Sequence, residues 1–124
     1  MKPKVSVIIP TYNSENYIAK ALKSVFNQSY SNFEIILIDD ASTDLTVRIA
    51  KSFRDRRLKI VQNDRNRGVS YGRNLGIKQA RGKWIALLDS VICIPSILYR
   101  FSTSYLAWLS DRSISIWATA TLNN

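Results

Sequence analysis

Two hydrophobic periods alternate along the first 90 residues, and a chain written that way has few folds open to it. Val5–Ile9 (VSVII) is a β-branched run that reads as a buried strand stopped by Pro10. After Thr11-Tyr12-Asn13-Ser14, the residues Tyr17, Ile18, Ala21, Leu22, Val25 and Phe26 recur at helical spacing, with Lys20 and Lys23 off that face. Phe33–Ile38 (FEIILI) is a second apolar strand. Ser42 or Thr43 is placed to cap the next helix, with Asp44 in its first turn and Leu45, Ile49, Ala50 and Phe53 as its inner stripe. Leu58–Val61 reads as a third strand, Val69–Ala80 as a helix closed by Gly82 at its C′ position, and Lys83–Leu88 as a fourth strand. The order β-α-β-α-β-α-β predicts an α/β fold, a parallel sheet with helices on both faces. Ligands of such sheets sit beyond the carboxyl ends of the strands. Attention therefore goes to Pro10–Asn13, Asp39–Asp44, Gln62–Gly68 and Asp89–Ser90.

Composition narrows the chemistry. The chain has 124 residues, no histidine and one cysteine, Cys93, which excludes histidine-based nucleophile systems, imidazole zinc sites and any internal disulfide. Acid–base or metal chemistry must rest on the nine carboxylates. A net charge of +9 points to anionic partners without choosing among them. Charge is unevenly spread: residues 1–90 carry 16 of the 18 Lys and Arg and eight of the nine acids, whereas 91–124 carry only Arg100, Asp111 and Arg112. Val91–Leu109 is fairly apolar, but Pro95 and Arg100 interrupt it, so it makes a poor membrane span, which needs about twenty apolar residues. The start of the chain is too short in apolar residues for a signal peptide, so the expected location is the cytoplasm, or the periphery of a membrane.

Three groups stand out. Asp39 and Asp40 are adjacent at a strand end, so their side chains point to opposite faces: one suits a ligand and the other the loop, unless both cap the next helix. Asn66–Gly76 leads from a turn into a helix whose start suits phosphate, with Arg73 just over one turn inside, although helix packing alone accounts for Gly72 and Gly76. It contains neither a Walker loop nor a Gly-x-Gly-x-x-Gly fingerprint. The run Arg54, Arg56, Arg57, Lys59, Arg65 and Arg67 lacks interleaved aromatics and reads as a solvated face rather than a nucleic-acid reader.

Together, VSVIIPTYN (Val5–Asn13), SVFNQSYSNFEIILIDDASTD (Ser24–Asp44) and NRGVSYGRNLGIKQARGKWIALLDS (Asn66–Ser90) resemble the amino-terminal half of the inverting family-two glycosyltransferases of GT-A fold. The resemblance covers about residues 4–90 and implies a Rossmann-like half domain that holds the nucleoside diphosphate of a sugar donor, commonly a UDP-sugar. It implies that Pro10, Thr11 and Tyr12 line the base pocket, that Asp40 accepts the base N–H beside a supporting Asp39, and that Arg73 stands near the base or diphosphate. Asp89 would open the family's Asp-x-Asp motif, touching ribose directly or through Mg²⁺ or Mn²⁺, and the acceptor would be a hydroxyl of a glycan or lipid-linked sugar.

The pattern breaks immediately after. Where the family has Asp-Ser-Asp-Asp, this chain has Asp89-Ser90-Val91-Ile92, and valine has no oxygen for a hard cation. The only later acid is Asp111. Codons offer an explanation: Ser-Val-Ile-Cys written AGY GTG ATA TGY becomes Ser-Asp-Asp-Met when one A is restored after the first G of the valine codon. Residues 91–124 are therefore expected to be a tail unlike the family and out of frame, and the chain to be inactive in transfer. The rival readings are a non-catalytic nucleotide-binding module and a basic nucleic-acid-binding protein. An uncovered apolar face or strand edge would favour self-association.

Overall fold

The computed structural model describes residues 2–88. Strands β1 (Val5–Thr11), β2 (Phe33–Asp39), β3 (Leu58–Gln62) and β4 (Trp84–Leu87) form one parallel sheet in the order β3-β2-β1-β4. Helices α1 (Ile18–Phe26), α2 (Thr46–Lys51) and α3 (Val69–Gln79) make the crossovers. The residues expected to form a tail, and with them Asp89, Val91, Cys93 and Asp111, lie outside the described residues.

The two central strands are buried along their whole length, as fits runs without polar alternation. Ile8, Ile9, Ile35, Ile36, Leu37 and Ile38 expose no surface, and each such burial contributes about 1.5–3 kcal/mol. The pleat sends odd-numbered residues to one face, where Val7, Ile9, Ile35 and Leu37 meet Ile18, Leu22 and Val25 of α1 and Ala50 of α2. The even face receives α3: a methyl group at Gly72 would stand 3.4 Å from Ile38 Cγ2, and one at Gly76 would overlap Ile8 Cγ2. Helices thus cover both faces. The chain steps outward from β1 to β3 and then returns across the sheet to β4, and right-handed crossovers in both directions require α3 to lie opposite α1 and α2.

Several details depart from the sequence reading. Pro10 does not stop β1. Ile8 O accepts from Leu88 N–H on the β4 side, and Thr11 O accepts from Asp40 N–H on the β2 side. Pro10 therefore turns its missing N–H toward β4, so pairing ends on that side while it continues to Asp39 on the other. Leu45, expected inside, is 51% exposed, because α2 starts only at Thr46 and buries that residue instead. Tyr17 also lies outside, ahead of α1. Gly82 is not a left-handed cap, since α3 ends in an extended Ala80 and the only glycine of positive φ is Gly68. Its need for glycine is close approach: a Cβ there would stand 2.6 Å from Ser6 N.

The same turn seals the amino end of the sheet. Gly82 N–H donates to Ser6 Oγ (2.8 Å), which donates to the buried Glu34 carboxylate (2.6 Å), and Arg81 adds its backbone N–H (2.7 Å) and Nε (3.1 Å). Burial would raise the Glu34 pKa, but the Ser6 and Arg81 donors and the Arg81 charge outweigh it and hold the carboxyl below its usual value.

Candidate functional site at the carboxyl end of the sheet

β1 and β2 end side by side, and the loops that leave them are knitted together. Asn13, at a left-handed φ of 46°, donates its N–H to Ser42 Oγ (2.9 Å) and accepts at Oδ1 from Thr43 N–H (2.8 Å). Ser14 N–H donates to Thr46 Oγ1 (2.8 Å), and Leu45 N–H donates to Glu15 Oε2 (3.0 Å). Ser42 and Thr43 therefore join two loops rather than cap α2, whose N-cap position, Leu45, makes no side-chain cap. Asp44 performs that task from outside the helix, accepting from Thr46 N–H (2.9 Å) and Thr46 Oγ1 (2.5 Å). Burial works against its ionised form, yet the Thr46 and Glu15 donors lower its pKa.

The adjacent pair divides as their opposite directions require, and neither caps α2. Asp39, 2% exposed, accepts from Ser42 N–H (3.1 Å) and Ser42 Oγ (2.5 Å), fixing the turn through Ala41 at φ 63°. Asp40 faces the other way. Its Oδ1 accepts from Asn63 Nδ2 (3.0 Å) and Arg67 N–H (2.8 Å), and its Oδ2 from Gly68 N–H (2.9 Å). Burial opposes its charge, but these three donors and the Arg67 guanidinium prevail, so its pKa is lowered. A carboxylate offers about four lone-pair sites, so one remains on Oδ2.

This clamp sets the start of α3 against the strand ends. Gly68 takes φ 88°, open only to glycine in practice, and no side chain caps the helix behind it. Gly72 lets α3 approach so closely that an added Cβ would stand 3.6 Å from Pro10 Cβ. Half-buried Arg73 follows it, and Tyr71, under the Arg67 guanidinium (5.0 Å to the ring centroid), is exposed. Pro10, Thr11, Tyr12, Asp39, Asp40 and Arg73 thus belong to one end of the sheet, around the point where strand order reverses. Thr11 is 4% exposed, and its Oγ1 has no hydrogen-bond partner among the described residues. Tyr12 is half exposed. Asp89 lies outside the described residues.

Sequence reasoning missed Asn63 and the backbone N–H groups of Arg67 and Gly68 as the partners of Asp40, and Glu15 as a brace between loops. The signal for the former was a polar Asn immediately after an apolar strand. The basic run also divides: Arg54, Arg56 and Arg57 precede β3 whereas Arg65 and Arg67 follow it, with roughly 16 Å of strand between. No group of three or more His, Cys, Asp or Glu able to hold a metal ion is present among the described residues. Among the described residues the donors do not make up a divalent-cation site: Asp39 and Asp44 are engaged with the protein, Asp40 keeps a single free lone pair, and in the sequence Val91 supplies no oxygen.

A family model, "Glycosyl transferase family 2", matches residues 6–90. The chain is 40% identical over 88 residues to the succinoglycan biosynthesis protein ExoO of Rhizobium meliloti, covering 71% of this chain and 25% of that one. Among solved structures, S. aureus TarS in complex with UDP-GlcNAc superposes with a TM-score of 0.68 at 41% identity, over 71% of this chain and 26% of TarS. The mannosyltransferase PcManGT of Pyrobaculum calidifontis, in complex with GDP-Man and Mn²⁺, gives 0.68 at 31% identity, over 77% and 29%. The chain spans between 13% and 36% of the length of the first curated relatives it matches.

Proposed function

The chain belongs to glycosyl transferase family 2, as the amino-terminal half of a GT-A fold, and from that premise we propose that its carboxyl end binds the nucleoside diphosphate of a UDP-sugar. Pro10, Thr11 and Tyr12 line the base pocket, and the free lone pair on Asp40 Oδ2 accepts the base N–H. Asp39 holds the loop beside it. Arg73 and the uncapped start of α3 face the diphosphate, where N–H groups and the helix dipole favour anions. Asp89 meets the ribose.

The observation that carries this reading is the Thr11 hydroxyl. A buried polar atom without a partner costs about 1–3 kcal/mol, which leaves this hydroxyl a bond to offer a ligand seated at the strand ends. One relative, S. aureus TarS, crystallised with UDP-GlcNAc and with UDP, supports the choice of nucleotide. The acceptor in an intact relative would be a glycan or lipid-linked hydroxyl, in keeping with the succinoglycan protein.

The polypeptide as written transfers sugar poorly or not at all. Val91-Ile92 replaces the second part of the family's acidic motif, and each of the acids between residues 2 and 88 is engaged in an internal hydrogen bond. We read residues 91–124 as unlike the family and out of frame with it; the family match ending at residue 90 supports this. Sequencing the gene through codons 85–95 and translating every frame tests that part. Calorimetry with UDP and GDP tests the rest: UDP gives heat that a chelator does not change, and absence of heat with either nucleotide overturns the assignment.

A further inference from the structure

We propose that the amino end of the sheet, opposite the nucleotide end, is a polycationic face that docks on an anionic lipid bilayer. The proposal stands apart from the nucleotide reading. In a parallel sheet every strand starts, and every crossover helix ends, at one edge. Here that edge receives Lys4 ahead of β1, Lys51 in the last turn of α2, Arg54 and Arg56 in the turn to β3, Lys78 in the last turn of α3, and Lys83 ahead of β4. All six are exposed, and none forms an ion pair among the described residues. The registers Val5↔Phe33 and Val5↔Trp84 hold the strand starts level, so these charges leave one end face rather than separate sides.

The acids at this end do not offset them. Glu34 is buried under Ser6 and Arg81, and Asp55 is held bidentately by Arg57 at 3.1 and 3.0 Å. The field that emerges is therefore positive.

Its form favours a surface over a nucleic acid. The charges arise from three separate stretches of chain and spread over an end face, with no projecting helix or ribbon among the described residues to enter a groove. Among the described residues the aromatics near this end pack on the core: Phe26, Tyr30, Phe33, Phe53 and Trp84, with Arg57 lying over Phe26 and Phe33 (5.2 and 4.5 Å), so they offer no open stacking platform. The helix ends here are carboxyl ends, which present no N–H groups to an individual phosphate. Attraction through the summed field is what remains, and a bilayer rich in anionic headgroups matches it. Docked this way, the protein would hold its nucleotide end toward the solvent.

The test is sedimentation of the full chain with vesicles of phosphatidylcholine containing about 30% phosphatidylglycerol, against pure phosphatidylcholine, at low and high salt. Binding to the anionic vesicles alone, weakened by salt, is expected. Lys51→Gln with Arg56→Gln should weaken it on the order of twentyfold, and Lys4→Gln with Lys83→Gln similarly, taking roughly fivefold per cation. Arg65→Gln, at the opposite end, should leave it unchanged. Circular dichroism of each variant separates lost binding from lost folding. No sedimentation at low salt overturns the proposal, as does an equal loss in Arg65→Gln. Binding of duplex or single-stranded nucleic acid without binding to vesicles would assign the face to that partner instead.

Discussion

The two ends of this sheet are built by the same topology yet use charge in opposite ways. At the carboxyl end, acids predominate and are spent on backbone: Asp39, Asp40 and Asp44 hold loops by accepting N–H groups. All of the exposed large hydrophobics among the described residues, Tyr12, Tyr17, Leu45, Val69 and Tyr71, also cluster there. At the amino end, two acids are locked in ion pairs and the cations point outward. One end is thus shaped by specific, saturated hydrogen bonds with a single orphan hydroxyl left over, and the other by an unspecific field. The first suits a small ligand and the second a large surface.

Substitutions at the two ends should therefore fail differently. The largest effect is expected from Asp40→Ala, which strands the Asn63 amide and the Arg67 and Gly68 N–H groups; a stability loss of about 4 kcal/mol in chemical denaturation, with loss of nucleotide binding, is predicted. Gly82→Ala at the other end pushes a methyl group into the Ser6 backbone and should cost about 3 kcal/mol while leaving the nucleotide affinity of the folded fraction intact.

Acid should act on both ends. Glu34 and Asp40 have folded pKa values below their ordinary 4.5 and 3.8, so their stabilisation is complete above those values and is lost as pH falls through the depressed ones. Glu34→Gln keeps an acceptor but no charge, so denaturation curves of this variant should change less between about pH 4.5 and lower pH than those of the parent chain. Thr11→Val should raise the stability of the unliganded chain by about 1–3 kcal/mol, by removing a buried hydroxyl without a partner, yet weaken UDP binding roughly tenfold. Smallest of all, Leu45→Ser should stay within about 0.5 kcal/mol, because that residue is half exposed on the surface.

Much of the fold was legible because β1 and β2 are buried on both faces, which writes them as largely apolar runs, polar only near their ends at Ser6, Thr11, Glu34 and Asp39. The ends of elements were less so. Pro10 reads locally as a stop, and only the knowledge that β4 ends beside it shows why the strand runs on to Thr11. Ser42 and Thr43 have the chemistry of caps, but Asn13, some thirty residues away, competes for them. That Pro10, Thr11, Tyr12, Asp39 and Asp40 would be neighbours was legible because strand ends converge in any parallel sheet. The bonds of Asp40 to Asn63, Arg67 and Gly68 were not, since they cross more than twenty residues and no local period encodes them.

Backbone hydrogen exchange with and without UDP compares the two ends in a single experiment. Binding at the carboxyl end predicts slower exchange at Thr11 and Tyr12, at Asp40 and at Arg67–Tyr71, with Lys4, Arg56 and Lys83 unchanged. Equal exchange throughout, or protection confined to the amino end, would contradict it.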